Sequence, residues 1–72
     1  LKQIDGYLAM AGTDKTRIVV ANIWLKDIAN FNEMNAAWET WVDPAQPPAR
    51  ATVESRLAAE NILVEIQVQA LV

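Results

Sequence analysis

The 72-residue sequence contains no histidine and no cysteine, and each absence closes a class of chemistry. Without these ligands there is no disulfide framework and no structural zinc site, the usual supports of small domains. Serine–histidine and cysteine–histidine nucleophilic catalysis are excluded for the same reason. With only two glycines, Gly6 and Gly12, no glycine-rich phosphate loop can be built. Basic side chains are also scarce, six against nine acidic ones. The resulting net charge of −3 and pI near 4.6 argue against binding DNA or other nucleic acid through its phosphates. A long apolar run is missing too: the uncharged stretch between Arg17 and Lys26 holds eight residues, against the roughly 20 that span a bilayer. No basic region followed by an apolar one marks a signal peptide. A cytoplasmic domain with no membrane partner, no metal and no cofactor is the expectation.

What remains is apolar for its size. Hydrophobic residues make up 53% of the chain, three of them tryptophan, which is too many for a disordered segment. One domain, residues 1–72, fits this length, and a domain so small hides only about 60% of its unfolded surface. Burial against another subunit is therefore expected. Leu1, Ile4, Leu8 and Ala11 recur at helical spacing and Gly12 supplies a stop. This helix opens at the first residue without a cap, which leads us to expect preceding sequence. Thr13 and Asp14 form a polar turn, and Arg17–Leu25 reads as a strand rich in β-branched residues. Asn30 with Glu33 has the spacing of a capping box, which starts a second helix at Phe31. Its apolar stripe runs through Phe31, Met34, Trp38, Trp41 and Val42. The three prolines between Asp43 and Pro48 make a loop.

Two alternating segments follow. Ala49, Ala51, Val53, Ser55 and Leu57 interleave with Arg50, Thr52, Glu54 and Arg56; Val64, Ile66, Val68 and Ala70 interleave with Glu65, Gln67 and Gln69. Period-two alternation defines one apolar and one polar face, and the apolar face is expected to meet the helical stripes. The order helix, strand, helix, strand, strand gives an α+β layer with helices on one face of a sheet.

The polar sheet face is then the place where chemistry would reside. Arg50 offers a planar, permanently charged fork that clasps a carboxylate. A hairpin-like pairing of the last two strands would bring Glu65 near it, where an ionised carboxylate can orient a nucleophilic water. Asn35 on the second helix adds a neutral donor and acceptor. From spacing alone, Arg50, Glu54, Arg56 and Glu65 read more readily as cross-strand charge pairs on a solvated face, and the tryptophan stripe reads as core or interface rather than a cofactor cage. Glu54 and Glu65 alone do not indicate the paired acids of glycoside hydrolysis.

The step Pro48-Ala49-Arg50-Ala51-Thr52-Val53, followed by Leu63-Val64-Glu65-Ile66-Gln67-Val68, resembles the C-terminal signature of the YjgF or Rid (reactive intermediate deaminase) family. Trp24-Leu25-Lys26-Asp27, Phe31, Met34-Asn35 and Ala11-Gly12 are similar to the family's strand, aspartate turn, second helix and first-helix end. The likeness implies a chorismate-mutase-like fold lacking its N-terminal strands, about the C-terminal three-fifths of such a domain. It implies a homotrimer with ligand pockets between subunits. The implied activity is hydrolytic deamination of reactive enamines and imines, such as 2-aminoacrylate, to a keto acid and ammonia. Arg50 would then hold the substrate carboxylate, Glu65 would position the attacking water, and Thr52 and Asn35 would line the pocket. Thr52 stands where the best-studied branch has cysteine, and Gln67 where a second glutamate is common. A non-catalytic trimer binding small carboxylates is the alternative. The ribonuclease or translation-inhibitor role attached to parts of the family fits poorly with an acidic, histidine-free chain.

Overall fold

The computed structural model describes all residues from Leu1 to Val72. In chain order it contains α1 (Lys2–Met10), β1 (Ile18–Leu25), α2 (Phe31–Trp41), β2 (Ala49–Glu54) and β3 (Val64–Ala70). Short 3-10 turns, Lys15–Arg17 and Ile28–Asn30, precede β1 and α2. No helix is long and apolar enough to cross a membrane.

β1 is the richest strand in apolar side chains and takes the centre of the sheet, whose order is β2-β1-β3. β1 and β2 run parallel, a pairing that a tight turn cannot make, and α2 is the crossover between them. β3 lies antiparallel on the other side of β1. The expected hairpin-like contact between β2 and β3 is therefore absent. β1 carries apolar side chains on both faces, so pairing gains most when both of its edges are covered.

The faces follow from the register. Ala21, Ile23 and Leu25 are buried with Trp38 of α2, and Phe31, Met34, Trp41, Ile66 and Val68 pack around them. In β3, Ile66 pairs with Ile23 and Val68 with Ala21, so the apolar phase faces the helices as expected. In β2 the expectation is reversed. Arg50 lies beside Ala21 and Thr52 beside Ile23, which places these two on the helical face. Both are half-buried, whereas Ala49, Ala51 and Val53 are exposed on the outer face. Alternation fixes that a strand has two different faces; it does not fix which one the helices cover. Two alanines cost little to expose, while the long stem of Arg50 gains by packing under α2. Between Ile18 and Val20 the β1–β3 register slips, and this bulge turns Ile18 inward beside Ala70.

The helix ends are fixed locally. Thr13 N donates to Leu8 O at 3.0 Å and Gly12 N to Ala9 O at 3.1 Å, with Gly12 at φ +82°, a Schellman stop for α1. α2 begins at Phe31 as expected, but the Asn30–Glu33 capping box does not form. Asn30 sits at φ −86°, ψ 8° and makes no side-chain cap, because a capping side chain needs an extended backbone at that residue. Asp27 and Glu54 do this work one turn earlier, accepting from Ala29 N at 2.9 Å and Ile28 N at 3.0 Å. Asp14 caps the other 3-10 turn, and its hydrogen bonds from the Thr16 side chain and backbone hold its carboxyl below the usual carboxylate range. Trp41 Nε1 donates to Asp5 Oδ2 at 2.9 Å and ties α2 to α1.

Candidate functional site

β2 presents Arg50 and Thr52, two residues apart, to the underside of α2. On α2, Phe31, Asn35 and Trp38 lie at i, i+4 and i+7 and so share one stripe. Arg50 docks against the middle of that stripe. Its Nη1 donates to Asn35 Oδ1 at 2.6 Å. Its guanidinium carbon lies 5.8 Å from the Phe31 ring centroid and 5.7 Å from that of Trp38, within cation–π range of both. Asn35 Nδ2 in turn donates to Glu39 Oε1 at 3.1 Å.

No carboxylate pairs with Arg50. The chain's one ion pair joins Lys26 to Glu60 at 3.3 Å, far along the fold. Beside Arg50, the Thr52 hydroxyl oxygen is enclosed and has no hydrogen-bond partner. A guanidinium that contacts only a neutral amide and two rings keeps its charge and most of its donors for another group. The fork of a guanidinium matches the two oxygens of a carboxylate.

Glu65 is elsewhere. It pairs with Trp24 in the β1–β3 register, in the phase opposite to Ile23 and Leu25, and is exposed on the outer face. Arg50 and Glu65 thus sit on opposite faces of the sheet and on strands that flank β1 from opposite sides. Arg50, Asn35 and Thr52 come together on the helical face; Glu65 does not join them within the chain. The other expected charge pairings around Arg50 are absent as well, because Glu54 turns to cap Ile28.

Glu39 and the two flanking rings were not expected at this place. The (i, i+4) spacing of Asn35 and Glu39 was available in the sequence, but spacing alone does not say which strand residue lies beneath the helix. Arg50 lines neither of two cavities in the fold. An apolar groove of about 340 Å³ separates α2 from β3, lined by Leu25, Met34, Trp38, Leu63, Val64 and Ile66 among others. An open recess of about 910 Å³ lies beyond the end of β2, around Lys26, Arg56 and Glu60.

The sequence profile of the Endoribonuclease L-PSP family matches residues 1–72. The chain belongs to that family. A RutC family protein of Haemophilus ducreyi is 49% identical over 70 residues, covering 97% of this chain and 60% of the relative. The RutC family protein YoaB of Escherichia coli is 40% identical over 72 residues, covering 100% of this chain and 63% of its own length. Among solved structures, a member of the YjgF protein family from Neisseria meningitidis superposes with a TM-score of 0.97 at 45% identity, over 99% of this chain and 60% of that one. The layer of two helices on a mixed sheet is the chorismate-mutase-like fold of YjgF proteins. The chain spans about three-fifths of the length of the relatives it matches.

Proposed function

We propose that this L-PSP family chain recognises a small carboxylate through Arg50 and takes part in hydrolytic deamination of enamine or imine acids such as 2-aminoacrylate. The observation that supports this reading is a half-buried guanidinium held by an amide and two rings with no carboxylate partner, next to an unpartnered hydroxyl. Anchoring the substrate carboxylate there restricts its orientation, so that a positioned water replaces a chance encounter with bulk solvent.

The water-positioning role falls to Glu65, and the fold imposes a condition on it. Because Glu65 lies on the far face of its own sheet, it meets Arg50 only if another copy supplies it. β2 is an outer strand of the described sheet, so Arg50 lies close to a boundary at which a second copy can seat. A homotrimer with sites at its subunit boundaries, as the resemblance implies, meets this condition. Thr52 and Asn35 line the substrate's side of the pocket.

The test is ammonia release from freshly generated 2-aminoacrylate by purified full-length protein. Arg50→Ala is expected to abolish it, and undiminished turnover in that variant removes Arg50 from the mechanism. One observation favours a second reading: within a single chain Arg50 has no general base beside it. A non-catalytic carboxylate-binding protein would bind pyruvate in calorimetry yet release no ammonia from the same sample.

A further inference from the structure

We infer that Glu39, which touches no ligand position itself, is a positioning residue that sets which edge of the Arg50 guanidinium faces a ligand. The inference rests on the carboxylate-binding reading of Arg50 given above. Its basis is the hydrogen-bonded series Glu39–Asn35–Arg50, with contacts of 3.1 and 2.6 Å.

The direction of the series is forced by chemistry. A guanidinium can only donate and an ionised carboxylate can only accept, so both ends demand the same orientation of the Asn35 amide. Its oxygen must face Arg50 and its nitrogen Glu39. Without Glu39, Arg50 alone still demands the amide oxygen, but the amide loses its second tether and no longer holds the guanidinium in one fixed position. Phe31 and Trp38 stand one turn to either side of Asn35 and confine the guanidinium to this stripe. With one Nη group tied to Asn35 and rings on either side, the remaining N–H edge is the one left for a carboxylate. The neutral amide also serves a purpose that an aspartate would defeat. It fixes the arginine without neutralising it, while the charge of Glu39 stays one side chain further away.

The Asn35–Glu39 contact is a single exposed (i, i+4) pair on a helix, worth little to folding. Its loss is therefore expected to leave thermal stability almost unchanged while weakening the anchor. In calorimetry with pyruvate as the probe, Glu39→Ala is expected to bind roughly three- to tenfold more weakly, the loss of one hydrogen bond's worth of order. Glu39→Gln, which keeps an acceptor oxygen, is expected to recover most of that loss. Asn35→Asp places a carboxylate directly on Arg50 and is expected to bind pyruvate more weakly than Glu39→Ala. Pyruvate affinity in Glu39→Ala equal to that of the parent overturns the inference, as does a loss that Glu39→Gln fails to recover.

A second readout separates this inference from the binding reading. In NMR spectra of the ligand-free protein, the Asn35 side-chain amide and Arg50 guanidinium signals are expected to shift in Glu39→Ala and to return toward the parent positions in Glu39→Gln. If the parent does not bind pyruvate but these shifts occur, the carboxylate-binding reading fails and the positioning role stands. Unshifted signals in Glu39→Ala overturn the positioning role whatever pyruvate does.

Discussion

A partly buried arginine ordinarily rests against a carboxylate; Arg50 rests against an amide oxygen and the faces of Phe31 and Trp38. Residue by residue, that substitution of partner is what leaves a positive charge available in a chain of net charge −3. Thr52 shows the same economy, for its enclosed hydroxyl has no partner. An unsatisfied buried hydroxyl costs about 1–3 kcal/mol of desolvation. Thr52→Val keeps the shape and removes the polar atom, so it is expected to raise stability by roughly 1 kcal/mol in urea or thermal unfolding. If the hydroxyl contacts a bound acid, the same variant is expected to bind pyruvate less tightly, so stability and affinity would move in opposite directions. Arg50 and Asn35 are legible from residue type alone, as a fork-shaped cation and an amide, whereas Thr52 is reached only through the family resemblance. Glu39 is not legible, because its relevance depends on what lies beneath the helix.

At the scale of elements, local chemistry fixes where each piece stops. α1 ends where Gly12 adopts φ +82°, with the paired hydrogen bonds back to Leu8 and Ala9. A Cβ at Gly12 would meet nothing within 4 Å, so Gly12→Ala isolates the backbone effect. It is expected to destabilise the protein by about 1 kcal/mol, seen as a lowered urea midpoint, with Gly12→Asn less harmful because asparagine tolerates the left-handed region. α2 starts at the expected residue, Phe31, yet the expected Asn30 cap does not form. Sequence spacing shows that Asn30 and Glu33 match a capping box, but the 3-10 turn that places Asn30 in a near-helical conformation is set by Asp27 and Glu54. Glu54 belongs to a strand distant in sequence, so no local window could have included it.

For the whole molecule, the decisive fact is the strand order β2-β1-β3. It separates the strands of Arg50 and Glu65 by β1, and the register along β1 places the two residues on opposite faces. Under the proposed trimer, each site then draws its arginine from one subunit and its glutamate from another. That arrangement has a measurable signature. Arg50→Ala and Glu65→Gln proteins, each inactive alone, are expected to regain ammonia release when unfolded and reassembled together. Random mixing restores about a quarter of the inter-subunit sites to the intact pair. No recovery in verified mixed oligomers would mean that the two residues do not share a site across a boundary.

Periodicity and residue type alone establish the class of each main element, the stop at Gly12, the inward phase of β3 and the residue types able to hold a carboxylate. Those features depend on periodicity, on side-chain chemistry and on neighbours within a few positions. The packed fold alone settles that β1 is central and that Arg50 and Thr52 rather than Ala51 and Val53 face the helices, which parts Arg50 from Glu65. Alternation along a strand is symmetric with respect to its two faces. The symmetry is broken only when the long stem of an arginine and the rings of a helix are packed together across a sheet.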